Sequence, residues 1–407
     1  MVMAAKRNPT EEEDARLAAV RNAGRGTVLI LLLLLALLQF GSGSSAAEVR
    51  PADALQRRAL AELRDFSGWL EDNDARGYVG EVGWPDNRDH GDADEWNALA
   101  ETWFRQADND RLWVSGWATG EWWGASYKLA MYENEERGND GVDSVNSQAD
   151  VFERHPGNGV NRGVTVNGGE FGSPIDKRTS RFSNESPGIY NTRYHYDRVG
   201  TFEFLADRGV GHVRIPFRWE RLQPELGGPL AQTEVQRLEG VIDRAAANDL
   251  PVILDMHNYG AYYLSDGDLG VRRAIGSQQV SVGDFADVWR RISQRFDNNN
   301  GVVAYALMAE PFNMPSAGRR SPAEVWEQAS QAAVTAIRDQ GDDKLVSVSG
   351  YGWDAIQVFT KLHPGAWIDD EADNLLYEVH HYWDGDHSGD YRKSYANESD
   401  KARNQGW

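Results

Sequence analysis

Three glutamates in this chain each follow a short apolar run typical of a β-strand. Glu81 follows GYVG, Glu170 follows VNGG, and Glu310 follows VVAYALMA and precedes Pro311. Proline cannot donate a ladder hydrogen bond, so Pro311 marks the end of its strand. Two carboxyl groups roughly 5–5.5 Å apart can cleave a glycosidic bond with retention, one as the nucleophile and the other as the acid and base. Because the chain has 63 acidic residues, position alone does not choose the pair.

The elements that must position these glutamates are eight apolar runs that alternate with helix-like segments. The predicted strands are Tyr78–Gly80, Leu112–Gly116, Val164–Asn167, His212–Pro216, Val252–Met256, Val303–Met308, Leu345–Ser349 and Leu375–His380. Examples of the predicted helices are Ala54–Asp72, Gln232–Asp249 and Pro322–Gln340. Eight βα units predict an α/β fold, the (β/α)8 TIM barrel, in which the loops after the strands form the active site.

The composition excludes several classes of function. The formal net charge of −21 argues against binding to nucleic acid and against strong binding to an anionic membrane surface. The absence of cysteine excludes disulfides, thiol catalysis and cysteine zinc sites. The 15 tryptophans are unusual, and many stand beside glycine or acidic residues. An indole at such a position either packs in the fold or stacks on the flat face of a sugar.

The first 47 residues have the pattern of an export signal. Arginines precede an apolar run at 28–38, and small residues before Glu48 offer a cleavage site. The run is shorter than the roughly 20 residues that a membrane-spanning helix needs. We therefore predict a secretory signal peptide at 1–47, with an uncleaved membrane anchor through residues 28–40 as the alternative. Either would export residues 48–407.

Motifs at six strand ends resemble those of glycoside hydrolase family 5, particularly its secreted endoglucanases. They are RIPFRWERLQP, DMHNYG, AEP, HHYWD, GEVGW and GWATGEWWG, and the resemblance covers nearly all of Asp53 to Trp407. By this resemblance, Glu81 is the nucleophile and Glu310 is the acid/base. The resemblance also implies that Arg214 and Tyr382 keep Glu81 ionised and oriented. The other supporting or sugar-binding residues that we predict are His257, Asn258, His380, Trp117 and Trp353.

Some candidates compete with others. GVTVNGGEFG resembles the first strand of the family, where a similar run is not catalytic, which favours Glu81 over Glu170. Adjacent residues of a strand face opposite sides, so only one of His380 and His381 reaches the site, and we predict His380. Further candidates for sugar stacking, or for plain packing, are Trp122, Trp383 and Tyr262.

The order of the motifs is unusual. The part that resembles family strands seven and eight, 48–133, precedes the part that resembles strands one to six, 163–407. The polar segment 134–162 is predicted to link them, or to be merely a long surface loop. Each strand occurs once, which indicates a circularly permuted single barrel. The alternative is a fragment that spans the end of one barrel and the start of another.

Ala309 departs from the family pattern. The family has asparagine here, and its amide hydrogen-bonds the sugar 2-OH, a contact that strengthens in the transition state. Losing such a donor costs on the order of 10²–10³ in rate. Three readings remain open: a weakened enzyme, rescue by another side chain, or a barrel that only binds carbohydrate.

The sequence therefore predicts a secreted retaining glycoside hydrolase, an endo-β-1,4-glucanase acting on cellulose-like β-glucan. A related polysaccharide, such as mannan, xyloglucan or mixed-linkage glucan, is the alternative substrate. No cofactor, metal, nucleic acid or protein partner is predicted. The stretch from Asp384 begins like a calcium loop, but Tyr395 stands where the bidentate glutamate of such a loop belongs.

Overall fold

The structure is a computed structural model that describes residues 52–134, 141–157 and 161–407. Within it, Asp53–Trp407 form one compact unit. The predicted signal or anchor at 1–47 lies outside the described residues. Among the helices of the described residues, none has the length and apolar character needed to cross a membrane.

Eight parallel strands form a closed barrel at the centre of this unit. They are β1 (Gly77–Val82), β2 (Trp113–Thr119), β3 (Arg162–Val166), β4 (His212–Phe217), β5 (Val252–Met256), β6 (Val302–Ala306), β7 (Leu345–Ser349) and β8 (Leu375–His380). Each strand pairs with the next along the chain, and β8 pairs with β1 to close the ring. The predicted (β/α)8 barrel is confirmed, and each predicted strand is present with its ends shifted by at most three residues.

Helices surround the barrel. Those in the described residues are α1 (Ala54–Asp72), α2 (Ala93–Asn109), α3 (Ser147–Glu153), α4 (Val199–Asp207), α5 (Trp219–Leu222), α6 (Gln232–Ala246), α7 (Val282–Phe296), α8 (Pro322–Arg338), α9 (Ile356–Leu362) and α10 (Tyr395–Asn404). The start of α8 is set by a reciprocal capping box between Ser321 and Glu324, with Pro322 in the first turn. These caps satisfy backbone donors that the helix itself leaves unpaired.

Shorter elements decorate the loops. They are a 3₁₀ turn at Gly124–Ser126 and the strands Tyr132–Glu133, Ser144–Val145, Thr179–Ser180, Ala261–Asp266 and Leu269–Ala274. The described part of the predicted linker 134–162 is not merely an open loop, because it contains α3. Phe152 of α3 packs edge-on against Phe104 of α2, with ring centroids 5.9 Å apart.

The alternation of residues along each strand separates two environments. On β8, Tyr377 and Val379 pack outward in the large core between the strands and the helices. Leu376 faces inward, in a small apolar cluster inside the barrel. Glu378 and His380 share its face, since alternate residues of a strand point the same way. The inward face therefore becomes charged towards the carboxyl end of the barrel, where the glutamates stand.

Helix α1 joins the two ends of the barrel sequence. It packs against both α9 and α10. Its Trp69 lies edge-on to Phe359 and Tyr377, with ring centroids 4.9 and 5.0 Å away, and its indole donates to the carbonyl of His363 at 2.8 Å. The first and last parts of the barrel thus share one core and should unfold together.

Candidate active site

Glu81 and Glu310 face each other at the carboxyl end of the barrel. Glu81 is near the end of β1, and Glu310 lies in the loop that follows β6. An oxygen of each carboxylate lies within 4.8 Å of the other. Both carboxylates contact Nδ1 of His380, Glu81 through Oε2 at 3.4 Å and Glu310 through Oε1 at 3.0 Å. Such a close approach of two oxygens agrees with the roughly 5–5.5 Å between the carboxyl groups of retaining hydrolases.

Only one oxygen of Glu81 is hydrogen-bonded. The hydroxyl of Tyr382 donates to Oε2 at 2.8 Å. Oε1 is buried and has no hydrogen-bond partner among the described residues. Tyr382 therefore orients the carboxyl group through Oε2, and the lone pairs of Oε1 are available to a reacting atom.

Arg214 lies one layer below the catalytic pair. It is fully buried and forms ion pairs with Glu378 and with Asp255, the latter at 3.1 Å. Its charge lowers the pKa of Glu81 through space, whereas the predicted support of Glu81 by Tyr382 is a direct hydrogen bond. A methyl group at Gly80 would overlap both Glu378 and Arg214, so glycine at this position lets the ion pair fill the barrel below Glu81.

His257 and Trp117 form one wall of the site. Nδ1 of His257 lies 2.8 Å from Asp255, which fixes the imidazole, and the ring of Trp117 stacks on it with centroids 5.9 Å apart. The indole of Trp117 donates to the hydroxyl of Tyr127 at 2.6 Å. The peptide bond between Trp117 and Ala118 is cis. An immobilised indole of this kind offers a flat face to a sugar ring.

Two cavities meet at the catalytic pair. The first, of about 460 Å³, is lined by Glu81, Trp117, Trp123, Tyr127, His257, Tyr259 and other residues. The second, of about 500 Å³, is lined by Trp353, Gln357, Val358, His380 and others. Ile175, Glu310, Tyr382 and Ser388 border both. Glu310 therefore stands at the junction of the two cavities.

The electrostatics of the pair follow from its burial. Burial raises the pKa of Glu81, and the charge of Glu310 adds to this, while His380, His257 and Arg214 oppose it. Burial alone would lower the pKa of His380, but the surrounding carboxylates, Glu81 foremost, raise it well above its usual range. The imidazolium of His380 is therefore favoured at neutral pH, and it offsets the negative charge of the catalytic pair.

Several predicted residues lie elsewhere. Asn258 does not reach the cleft, because its amide is committed to Glu220 and the carbonyl of Ala261 and its oxygen to the N–H of Trp219. Trp383 and Tyr262 are fully buried and pack in the core. Trp122 is exposed and stacks on His195, in a separate cavity. For Trp383 and Tyr262, plain packing is therefore the correct interpretation.

Glu170 and His381 have structural contacts. Glu170 accepts hydrogen bonds from Asn167 at 2.6 Å and from the backbone N–H of Gly168 at 2.9 Å, so both of its oxygens are used within one turn. His381 lies outside the barrel between α1 and α2, where it contacts Glu62 at 3.1 Å and accepts from Trp103 at 3.0 Å. Both arrangements agree with the choice of Glu81 and His380 as the site residues.

Sequence reasoning missed two carboxyl groups behind the site. Glu378 binds Arg214 and accepts from Ser347 at 2.6 Å. Asp354, in the loop after β7, accepts from the backbone N–H of Glu310 at 2.8 Å. Glu378 could have been found from its position two residues before His380, on the same face of β8. Asp354 had no such signal, because its loop has no repeating pattern.

Ala309 offers no polar group to the cleft. It is fully buried, and its backbone carbonyl accepts from the N–H of Tyr259 at 3.1 Å. Tyr259 itself lines the same cavity as Glu81 and Glu310.

Two groups of the described residues have the geometry to hold a metal ion, and His380 belongs to both. One joins it to Glu81 and Glu310, and the other to Asp354 and Glu378. A cation in the first group would occupy the oxygens of the catalytic pair. In the second group, Arg214 already neutralises Glu378.

A family model, Cellulase (glycosyl hydrolase family 5), matches residues 175–407, which is more than half of the chain. The chain belongs to this family. The matched residues of this cellulase-family chain include Glu310 but not Glu81.

Named relatives of this family member match about half of it. A manganese dependent endoglucanase, Eg5A of Phanerodontia chrysosporium, is 29% identical over 200 residues, 47% of this chain and 47% of its own. The probable endo-beta-1,4-glucanase B of Aspergillus oryzae is 26% identical over 230 residues, 56% of this chain and 60% of its own. The chain thus spans about half the length of the curated relatives it matches.

Solved structures give matches of the same extent. The endoglucanase Cel5A of Pseudomonas stutzeri, crystallised with cellobiose, is 36% identical, with a TM-score of 0.48 over 56% of this chain and 62% of its own.

Proposed function

We propose that this protein is a retaining endo-β-1,4-glucanase that cleaves cellulose-like β-glucans by double displacement. Membership of the cellulase family supports the reaction class, and the relatives named as endoglucanases support the substrate. The observation that carries the proposal is the close approach of Glu81 and Glu310: one oxygen of each lies within 4.8 Å of the other, and both carboxyl groups contact Nδ1 of His380. Such a pair has room for a covalent glycosyl intermediate but not for a water between the two carboxyl groups.

In the first step, Oε1 of Glu81 attacks the anomeric carbon, while Tyr382 holds Oε2. Glu310 gives its proton to the glycosidic oxygen, so the bond to the leaving sugar breaks as the bond to Glu81 forms. The imidazolium of His380 contacts the carboxyl groups of both Glu81 and Glu310. Its positive charge offsets the negative charge of Glu81, and its contacts orient the two side chains. The product of this step is a glycosyl ester on Glu81 and a free sugar chain.

In the second step, Glu310 acts as a base. It takes a proton from a water molecule, which attacks the anomeric carbon and releases Glu81 as a carboxylate. Two successive inversions give net retention at the anomeric carbon. A product with inverted configuration would contradict this mechanism.

The two cavities suggest where the two sides of the substrate bind. We place the sugar that becomes bound to Glu81 against Trp117 and His257, in the cavity that Tyr127 also lines. The leaving chain then lies in the other cavity, along Trp353. Trp353 is 38% exposed and stacks on Phe312, with ring centroids 3.6 Å apart, which holds it as a platform.

The proposal extends to the arrangement and destination of the chain. We infer a circular permutation, because β1 and β2 carry the motifs of family strands seven and eight and occupy their expected places beside β8 and β3. A colinear match could then cover only one part, as the match to residues 175–407 does. Export rests on the predicted signal at 1–47 alone.

The experiment compares two glutamates in similar sequences. Glu81 lies in GEVG and Glu170 in GEFG, and both are buried. Release of reducing sugar from carboxymethylcellulose by the full chain should fall about 10³-fold or more in Glu81→Gln, by analogy with the removal of other catalytic nucleophiles. Glu170→Gln should keep most of the activity once its folded fraction is matched. Equal losses in the two variants would contradict the assignment.

Ala309 favours a second candidate, a barrel that binds carbohydrate with little turnover. The Ala309→Asn variant restores the amide, and Ala309→Leu adds a side chain of similar size without it. If the missing amide at position 309 limits the rate, kcat should rise about tenfold or more in the asparagine variant only. If the wild type binds cello-oligosaccharides tightly, and if the wild type and both variants are inactive, the results would support the carbohydrate-binding barrel instead.

A further inference from the structure

Asp354 is fully buried and touches both the acid/base residue and the histidine between the two carboxylates. Its Oδ2 accepts a hydrogen bond from the backbone N–H of Glu310 at 2.8 Å. The same oxygen lies 3.4 Å from Nε2 of His380. The backbone carbonyl of Asp354 also accepts from the N–H of His380 at 2.6 Å. One residue therefore connects the loop after β6 to the end of β8.

The backbone of Glu310 needs such a connection. Its φ is +52°, in the left-handed region that residues other than glycine rarely adopt. A conformation of this kind persists only where the surrounding structure enforces it. The hydrogen bond to Asp354 fixes the N–H of Glu310 at this strained residue and so determines where its carboxylate points.

His380 is held from both edges. Its Nδ1 faces Glu81 and Glu310, while its Nε2 faces Asp354 and, at 3.5 Å, Glu378. Glu378 is already committed to Arg214 and to Ser347. Oδ1 of Asp354 is buried without a hydrogen-bond partner among the described residues. Asp354 therefore contacts Nε2 of His380 through the same oxygen that accepts from the N–H of Glu310.

We propose that Asp354 is a positioning residue for the acid/base step: it fixes the strained backbone of Glu310 and braces His380 against both carboxylates. This inference rests on the proposed function of Glu310. Asp354 lies behind the reacting atoms and acts through Glu310, so its loss should harm the protonation of the leaving group more than the attack by Glu81.

The charge of Asp354 is not what the role requires. Burial raises the pKa of Asp354 well above its usual range, and the neighbouring Glu378 and Glu310 add to this, whereas His380 opposes it. The titratable groups that face it are these three. A neutral acceptor should therefore serve at this position, and asparagine supplies one of nearly the same shape.

The experiment compares the full chain with its Asp354→Ala and Asp354→Asn variants on two substrates. Cellotetraose needs a proton on the leaving sugar, whereas 2,4-dinitrophenyl β-cellobioside has a leaving group that departs without one. In Asp354→Ala, kcat on cellotetraose should fall about 10- to 100-fold, as for other residues that orient a reacting group. The rate of glycosylation by the dinitrophenyl substrate should change little. Asp354→Asn should keep most of the activity on both.

Asp370→Ala is the matched control for lost stability. Asp370 is bound by Arg338 at 2.6 and 3.0 Å, and it lines neither cavity of the cleft. This variant should lower the melting temperature without changing the ratio of the two rates. A crystal structure of Asp354→Ala adds a readout that does not need activity, and it should show Glu310 displaced from His380.

The possible results distinguish a failure of the proposed function from a failure of the role inferred for Asp354. If the wild type cleaves neither substrate, the proposed function is overturned and the role of Asp354 with it. If the wild type is active but Asp354→Ala loses both rates equally, or neither, only the inference about Asp354 is overturned. An alanine variant in which Glu310 keeps its 3.0 Å contact with His380 would also overturn it.

Discussion

Glu81 combines two properties that oppose each other at the scale of a single residue. The residue is 3% exposed, which disfavours its charge, yet the role of nucleophile that we propose for it requires an ionised carboxylate. Burial raises its pKa, and His380, His257 and Arg214 limit the rise. Keeping Glu81 ionised in this buried position therefore lowers the free energy of unfolding.

The pH dependence of stability measures this cost. A buried carboxyl with a raised folded pKa favours the folded state below the ordinary glutamate pKa of about 4.3, and this advantage is lost as the pH rises through the folded value. Glu81→Gln should therefore stabilise the protein at neutral pH. The gain should shrink below pH ~4.3. The acidic limb of the wild-type rate profile should lie above that pH, because Glu81 must lose its proton to attack.

Thermal unfolding of both proteins between acidic and neutral pH provides the test. Glu170→Gln is the control, because a glutamine cannot accept both hydrogen bonds that Glu170 receives from Asn167 and Gly168. It should destabilise by about 1–3 kcal/mol. A Glu81→Gln variant less stable than the wild type at neutral pH would refute the electrostatic account of Glu81.

At the scale of elements, the loops after the strands divide the work. The loop after β2 supplies Tyr127, whose hydroxyl accepts the hydrogen bond of the Trp117 indole. The loop after β7 supplies both Trp353 and Asp354. Trp353 and Asp354 have φ values of +68° and +53°, so two consecutive left-handed residues turn the indole towards the cleft and the carboxyl group towards the core.

Trp353 gives a prediction for this loop. Trp353→Ala should raise KM for cellotetraose about fivefold, for a stacking loss of about 1 kcal/mol, and should leave kcat nearly unchanged. Trp407→Ala is the control, because Trp407 is 40% exposed and lines neither cavity. Steady-state kinetics of the two variants decide the matter. A large fall in kcat with constant KM would mean that Trp353 positions the reacting atoms instead.

The same scale explains which residues could be predicted from the sequence. Strands follow a two-residue period, so β8 could be predicted from the pattern, and alternation favoured His380 over His381. The role of Tyr382, which follows the end of β8, was predicted only from the resemblance to the family motif. Loops have no such period. Trp383 is followed by an aspartate, as Trp353 is, yet Trp383 folds into the core. Asn258 was predicted as a supporting or sugar-binding residue, but Trp219 and Glu220, which bind its side chain, are distant in sequence, so the pattern could not show that its amide is used within the fold.

At the scale of the whole molecule, the barrel closes between the first and last parts of the unit Asp53–Trp407. β8 pairs with β1, and α10 packs against α1. The hydroxyl of Tyr395 in α10 donates to Asp53, the cap of α1, at 2.7 Å. The order of strands around a barrel does not depend on which strand comes first, so joining these ends and opening another loop should preserve the fold.

A rejoined chain tests the permutation. It would run from 141–407, which keeps α3, through a flexible Gly/Ser linker of about ten residues with a reach of roughly 18 Å, into 53–134. This chain should fold and keep wild-type activity, as measured by circular dichroism and sugar release. A control opened inside β5 should not fold, because a barrel strand would be cut. An insoluble rejoined chain beside a soluble wild type would contradict the permuted barrel.

The most direct test of the central claim is to trap the covalent intermediate. The full chain would be incubated with 2,4-dinitrophenyl 2-deoxy-2-fluoro-β-cellobioside, in which the fluorine slows hydrolysis of the glycosyl ester, and then mapped by peptide mass spectrometry. The account predicts one fluoroglycosyl group per chain, on Glu81. A label on Glu170 or another residue, or no label together with a product of inverted configuration, would contradict it.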